Sequence, residues 1–262
     1  MTVVGTTPPP RLPVRDRTAA GERSPGCVSP MLTRLAEERA TGVLDREHGT
    51  LYLAEGRVVH AESPLAPSLG TLLTAHGALD AASWQDAEDS ADEGRLLWHG
   101  VTPGALELAQ VSALYDAAYF ALAPSSTPGR FRYGTAHWLA SVHPVPVADL
   151  ERETLRRRAL LCRIWPDPAT DVAPLIRADP VSAPAVPSRQ AAVLEQVDGV
   201  RRATDIAREL GRPAFHTLVH IRRLAAAGLV SSQPPPVDDH PPDAADPYVA
   251  LLKRVRDALE AL

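Results

Sequence analysis

The alternation of apolar and polar residues predicts a β-meander near the start of the folded part of the chain. Apolar residues dominate three short runs, at residues 41–44, 51–53 and 58–61. Turn-forming residues separate the runs, and Gly49 and Gly56 permit the tight reversals that hairpins need. Three runs of this length, joined by short turns, predict three antiparallel strands.

Helical spacing replaces this alternation further along the chain. Residues 69–77 and 79–84 have the apolar spacing of short helices, and Asp80 is placed to cap the second one. Residues 104–123 predict a longer helix with its apolar side chains on or near one face. Residues 147–164 predict a charged helix, in which Glu151 and Glu153 would pair with the arginines at 156–158.

Residues 129–133 alternate once more and predict a closing strand, with Trp138 as a candidate further member. Strands and helices that follow one another in blocks, without a regular βαβ order, are typical of an α+β fold. We therefore predict an α+β domain of short antiparallel strands and helices over residues 31–163.

A second folded segment, residues 188–230, has the pattern of three short helices. The third helix, predicted over residues 213–227, carries Leu218, Ile221 and Leu224 on one side. The opposite side carries His216, His220 and Arg223, which are spaced i, i+4 and i+7. One face of this helix is therefore suited to packing and the other to contact with a polar partner.

Proline marks the boundaries of these segments, because 26 prolines are about twice the usual number and they are clustered. We predict a disordered Pro-rich tail over residues 1–30, an interdomain linker over 164–187, and a second linker over 231–247. The last segment, residues 248–262, predicts an amphipathic C-terminal helix.

The apolar stripe of this C-terminal helix is a candidate partner-binding surface. It is compatible with three roles: binding a partner protein, folding back on either domain, or pairing with its copy in a homodimer. The sequence does not distinguish these roles. The residues of the stripe are Tyr248, Leu251, Leu252, Val255 and Leu259.

Charge and cysteine usage add limits on location. The net charge of −5 gives the whole chain no electrostatic attraction to nucleic acid. Cys27 and Cys162 lie in unrelated contexts and indicate neither a disulfide framework nor a zinc site. Neither a signal peptide nor an apolar run of membrane-spanning length is recognisable. We therefore expect a cytoplasmic, soluble protein with no membrane partner.

The first domain resembles a known family, the PatA-like N-terminal domain. The resemblance covers residues 31–163. That family occurs in bacterial signalling proteins and has no established catalytic residues. The resemblance therefore implies a regulatory or interaction module that binds protein partners. The residues that carry it are TGVL at 41–44, LYL at 51–53, EGRVVHA at 55–61, LG at 69–70 and PGRFRY at 128–133.

The second domain resembles winged-helix transcriptional regulators, through IARELG at 206–211 and the apolar spacing up to GLV at 228–230. In such proteins the third helix of the domain enters the major groove of DNA. Residues 189–230 contain seven arginines and four Asp or Glu residues, a net charge of +3. The candidate DNA contacts are Arg201, Arg202, Arg212, His216, His220 and Arg223.

Within this set the arginines have different expected roles. Arg201, Arg202 and Arg212 are candidates for phosphate contact, and Arg223 is the candidate for a guanine edge. We expect DNA as a partner on this interpretation, and a transcriptional regulator as the function.

The residues after Val230 support an alternative interpretation. Pro234, Pro235 and Pro236 stand where the β-wing hairpin of a winged helix would form, and proline cannot donate to a strand ladder. The wing is therefore expected to be missing or vestigial. Three-helix modules of this kind also serve in docking, so the alternative is a signalling scaffold in which both domains bind proteins and no DNA is read.

Catalytic chemistry has no support in the sequence. His48, His60, His76, His99, His137 and His143 are scattered, without cysteine or aspartate at metal-ligand spacing. A nucleophile elbow and a phosphate-binding glycine loop are both absent from the sequence. We therefore expect no enzyme activity, no cofactor and no metal site.

Overall fold

The computed structural model describes residues 28–140, 142–178, 185–232 and Arg256. The chain divides into two units, and both are discontinuous. The first unit contains residues 1–163 and 207–216, and the second contains residues 164–206 and 217–262. This division differs from the predicted boundaries, because residues 207–216 of the predicted winged-helix-like domain belong to the first unit.

A five-stranded antiparallel sheet is the centre of the first unit. The predicted meander is present as β1 (Gly42–Arg46), β2 (Gly49–Ala54) and β3 (Arg57–Glu62). The strands β4 (Arg130–Tyr133) and β5 (Val145–Pro146) complete the order β4-β1-β2-β3-β5. The predicted closing strand therefore lies beside β1. Trp138 is not part of it, because residues 138–140 form a turn.

The hairpin between β2 and β3 shows why the sequence folds in this way. Ala54 pairs with Arg57, so that only Glu55 and Gly56 connect the strands. Both residues have positive φ, +48° and +76°, as a type I′ turn requires. A Cβ atom on Gly56 would lie 2.5 Å from the carbonyl oxygen of Ala36, so glycine is needed for space as well as for φ.

Helices cover this sheet, and side-chain caps fix where they begin. Ser29 caps the first helix and Asp80, as predicted, accepts the N–H of Ser83 at 2.9 Å. The fifth helix packs against β2, β3 and the second helix. Among the described residues up to 164, the helices are α1 (Pro30–Glu37), α2 (Leu69–Ala75), α3 (Ala81–Ser90), α4 (Glu93–Trp98), α5 (Pro103–Ala121) and α6 (Val147–Ile164).

Together these helices and antiparallel strands confirm the predicted α+β class. The described part of the first unit begins at Val28, before the predicted start at residue 31, and Val28 and Ser29 both donate their N–H groups to Oε1 of Glu151. That contact also corrects the expected role of Glu151, which does not pair with the arginines of its own helix. Residues 1–27 of the predicted tail lie outside the described residues.

The second unit contains regular structure where we predicted only a linker. The helix α7 (Ala169–Val172) and the strand β6 (Leu175–Arg177) both lie within residues 164–187. Leu175 is fully buried. The strand fits between Pro174 and Pro180 because its three residues all have an N–H group to donate. Proline content alone therefore overstated the extent of the linker.

Three helices follow, with bounds close to the prediction: α8 (Ser188–Glu195), α9 (Ala203–Glu209) and α10 (Ala214–Ala226). The last strand, β7 (Val230–Ser232), pairs antiparallel with β6, with Leu175 opposite Ser232. A ladder therefore forms directly after α10, but its partner precedes the three helices in sequence. Residues 233–255, on which the prediction of a missing wing depends, lie outside the described residues.

The predicted C-terminal helix also lies outside the described residues, apart from Arg256. Its candidate stripe, Tyr248, Leu251, Leu252, Val255 and Leu259, stays a prediction. Among the residues that the structure describes, none of the helices combines the length and apolar character needed to cross a membrane.

Candidate functional site

The helix α10 presents the face that the sequence pattern predicted. His216 and Arg223 are exposed and His220 is half-buried, whereas the residues on the other sides of the helix are buried up to Ala225. The three side chains therefore occupy a single exposed stripe along the helix. We call this stripe, His216, His220 and Arg223, the polar face of α10.

The N-terminal end of α10 is held by a buried carboxylate. Asp116 on α5 has no solvent exposure and accepts the backbone N–H groups of Ala214 at 2.5 Å and Phe215 at 2.7 Å. A carboxylate at this position stabilises the positive end of the helix dipole. The same two N–H groups are those that a helix N-terminus offers to a phosphate, and here they already have an acceptor.

Arg157 completes the surroundings of Asp116. Its guanidinium lies 4.5 Å from the ring centroid of Phe215, and its Nη1 lies 3.9 Å from Oδ1 of Asp116. Burial raises the pKa of Asp116 to about 6, although the two N–H groups and Arg157 act in the opposite direction. The sequence did not indicate this contact, because Asp116 lies within an apolar helix and far along the chain from α10.

The three predicted phosphate-binding arginines differ in their surroundings. Arg201 is bound to its own loop, since Nη1 donates to Oε1 of Gln196 at 2.7 Å and Nε lies 3.6 Å from Oδ2 of Asp198. Arg202 is exposed, and Arg212 is half-buried. Of the three, Arg202 is thus the best placed for contact with a phosphate, and Arg201 has a structural role.

Arg222 has a role that the sequence did not indicate. It is buried, and its Nε and Nη2 atoms donate to the two carboxylate oxygens of Asp171 at 2.8 and 2.5 Å. Its Nη1 atom donates to the carbonyl oxygen of Trp165. Arg222 therefore joins α10 to α7 within the second unit. Its charge is neutralised, while that of its neighbour Arg223 faces outward.

The arginine cluster on α6 is internal to the first unit, in agreement with its predicted pairing. Arg156 and Arg157 bind Glu153 at 2.6 and 2.9 Å, and Arg158 donates to the carbonyl oxygen of Leu122 at 2.6 Å. Each of the three arginines thus has a partner within the first unit, which makes the cluster a weak candidate for nucleic-acid contact.

A second candidate site lies in the first unit, in a cavity of about 370 Å³. The end of β3, the start of α2, the helix α3 and residues 137–139 form its walls. Gly70 makes room for one wall, since a Cβ atom there would lie 2.5 Å from the indole of Trp84. The cavity therefore has an aromatic side, formed by Trp84 and Trp138, whose ring centroids are 6.1 Å apart.

Two histidines and a glutamate come together in this cavity. His60 is buried, and its ring stacks on that of His137 with 4.4 Å between centroids and 13° between planes. Nε2 of His60 lies 3.5 Å from Oε1 of Glu62, and the hydroxyl of Tyr52 donates to Oε2 of Glu62 at 2.9 Å. We call His60, Glu62 and His137 the His–Glu cluster.

The electrostatics of the His–Glu cluster keep its ligand atoms available. Burial lowers the pKa of His137 to about 4, with a further contribution from nearby His60, so this ring is neutral at pH 7. The hydrogen bond from His60 holds the pKa of Glu62 below its usual value. Burial, with the help of Glu62, raises the pKa of Tyr52 to about 12, so its hydroxyl remains a donor.

The His–Glu cluster was not expected from the sequence. Metal-ligand spacing reveals sites whose ligands are close in the chain, whereas His137 is separated from His60 and Glu62 by the helices α2 to α5. One signal was present: His60 stands among apolar residues in a run that folds as a buried strand. A buried histidine there needs a polar neighbour on an adjacent segment.

Comparison with family models, with curated proteins and with solved structures finds no match to this chain. The resemblances to the PatA-like N-terminal domain and to winged-helix regulators therefore stay predictions, and the two candidate sites are judged on their geometry.

Proposed function

We propose that this protein is a cytoplasmic bacterial transcriptional regulator without enzyme activity, in which a PatA-like module controls a winged-helix-like DNA-binding module. The observation that carries the proposal is the polar face of α10. This helix follows a short helix and a turn. One stripe of it carries the exposed His216 and Arg223 and the half-buried His220, which suits insertion into a major groove.

Local charge supports the proposal in part. The excess of three positive charges over residues 189–230 favours contact with phosphates. Two of the arginines contribute little to this positive charge at the surface. Arg222 is neutralised by Asp171, and Arg201 is bound to Gln196 and Asp198. Arg202 and Arg223 are the exposed arginines best placed for DNA.

The test is DNA binding by the full chain and by two single variants. Wild-type protein should bind DNA with an affinity that falls steeply as salt rises, because phosphate contacts release counterions. Arg202→Ala should weaken binding to all sequences alike, whereas Arg223→Ala should reduce preference for the selected sequence by roughly 5- to 150-fold, which corresponds to about 1–3 kcal/mol.

Arg152→Ala is the matched control, since this arginine of the first unit is also exposed and pairs with Asp149 one turn away. It should leave both affinity and preference unchanged. Absence of salt-dependent binding at micromolar wild-type protein would rule out the transcriptional function.

A signalling scaffold that binds only proteins is the second candidate, and Asp116 favours it. The first residues of a recognition helix usually contact base edges or phosphates. Here Ala214 and Phe215 are buried and their N–H groups bind Asp116. On this proposal the N-terminal end of α10 has a structural role and its polar face contacts a protein, so Arg223→Ala would change the set of co-purified proteins without any effect on DNA.

A further inference from the structure

We propose that the His–Glu cluster binds a divalent transition-metal ion, and that Zn²⁺ is the ion it suits best. One ligand atom from each of His60, Glu62 and His137 lies within 4.8 Å of the others, in a cavity wide enough to admit an ion with bound water. This inference does not depend on DNA binding, since a protein with either proposed function can use a metal in its first unit.

The donor set decides the class of ion. Two imidazole nitrogens and one carboxylate oxygen are a common protein ligand set for zinc. Imidazole favours zinc and its neighbours in the first transition series, whereas magnesium and calcium sites are built from oxygen ligands. Three protein ligands would also leave a fourth position for water or a small anion.

Distances within the His–Glu cluster are close to those of a bound ion. Ligand atoms around a tetrahedral zinc are separated by about 3.3 Å, given metal–ligand distances near 2 Å. Nε2 of His60 and Oε1 of Glu62 are already 3.5 Å apart. The other ligand-to-ligand distances are at most 4.8 Å, so they must shorten by about 1.5 Å at most. Rotation of the His137 side chain can achieve this, because His137 lies outside the helices and strands.

His60 supplies an independent observation. Its Nδ1 atom is buried and has no hydrogen-bond partner among the described residues. With the hydrogen of Nε2 directed at Glu62, Nδ1 carries a buried lone pair without a donor. Buried polar atoms without partners are uncommon because they lose hydration without replacement. A cation bound at Nδ1 would supply the interaction, whereas coordination through Nε2 would move the hydrogen to Nδ1, where it would need an acceptor.

Neighbouring residues orient the ligands. Tyr52 binds the second carboxylate oxygen of Glu62 at 2.9 Å, which leaves Oε1 directed toward His60. One contact opposes metal binding: Nδ1 of His137 accepts the N–H of Leu139. Coordination through Nε2 would place a hydrogen on Nδ1 and break that bond, but its length of 3.3 Å makes it a weak one.

The experiment is a calorimetric titration of tag-free, full-length protein with Zn²⁺. The metal content of the protein is then measured after dialysis. Wild type should bind one Zn²⁺ per chain. His137→Gln and Glu62→Gln should each weaken that binding at least tenfold. His143→Gln is the matched control: it removes a histidine that also pairs with a glutamate, Glu107, but that does not line the cavity, so its affinity should equal that of wild type.

A Co²⁺ titration gives a second readout, since imidazole coordination changes the visible absorption of the ion. The change should appear in wild type and in His143→Gln, and be lost in His137→Gln. The proposal is overturned if wild type takes up no stoichiometric Zn²⁺ or Co²⁺, or if His143→Gln weakens binding as much as His137→Gln does. Should His137→Gln fail to fold by circular dichroism, Glu62→Gln at the edge of the sheet decides between these outcomes.

Discussion

The buried carboxylate of Asp116 has two opposite effects on the stability of the fold. Its burial without water destabilises the charged form, yet two backbone N–H groups of α10 depend on its oxygens. An oxygen acceptor at this position is therefore necessary, while its negative charge is costly. The substitution Asp116→Asn keeps an oxygen acceptor and removes the charge, so it should separate these two effects.

We expect the stability difference between wild type and Asp116→Asn to depend on pH. The pKa of Asp116 is about 6 in the folded state against 3.8 as its ordinary value. Between these two values the folded state holds the proton and the unfolded state does not, so the free energy of unfolding of wild type falls as pH rises from 4 to 6. Asparagine does not titrate, and the other groups cancel in the difference.

Urea unfolding at several pH values measures this difference. The stability of wild type relative to Asp116→Asn should decrease by up to about 1.4 kcal/mol per pH unit between pH 4 and 6, and stay constant above it. If the relative stability rises over this interval instead, the two N–H groups and Arg157 stabilise the charged carboxylate by more than burial destabilises it.

The helix α10 carries two neighbouring arginines with opposite roles, which sequence patterns alone could not separate. Helical spacing correctly placed Arg223 on the exposed stripe with His216. It could not show that Arg222 meets Asp171, because that contact depends on α7, which forms inside a segment rich in proline. Local periodicity can be recognised in a sequence, but an ion-pair partner on a short and distant element cannot.

Arg222→Ala should therefore destabilise the protein strongly, while Arg223→Ala should not. Removing Arg222 leaves the carboxylate of Asp171, which is only 16% exposed, without its bidentate partner. We expect a loss of about 2–4 kcal/mol in the free energy of unfolding, below the full range for buried pairs because Asp171 keeps some solvent. The exposed Arg223 should cost less than about 0.5 kcal/mol.

Denaturant midpoints of the two variants, compared with wild type at one pH, provide the measurement. Equal midpoints for Arg222→Ala and wild type would show that the ion pair contributes nothing to stability, contrary to its burial.

At the scale of the whole molecule, the sequence predicted the parts that depend on local pattern. The meander around Gly56, the cap at Asp80 and the three helices over residues 188–226 all have bounds close to those expected. These features follow from the alternation of apolar and polar residues, from helical spacing and from turn residues, and each of these patterns involves only a few neighbouring positions.

Features that depend on contacts across the chain were missed. The Asp116 contact with α10, the pairing of Leu175 with Ser232 and the His–Glu cluster each join residues far apart in sequence. A single sequence contains no record of such pairs. The two-unit division, in which residues 207–216 belong with residues 1–163, follows from contacts of this kind.

The central proposal, that the polar face of α10 reads DNA, is tested most directly by genome-wide DNA co-precipitation of the tagged protein, with Arg223→Ala as the matched control. We expect wild type to enrich a discrete set of sites, and Arg223→Ala, at equal abundance, to lose most of them. No enrichment by wild type above an untagged strain, or the same sites at the same strength in Arg223→Ala, would contradict the proposal and favour the protein-binding scaffold.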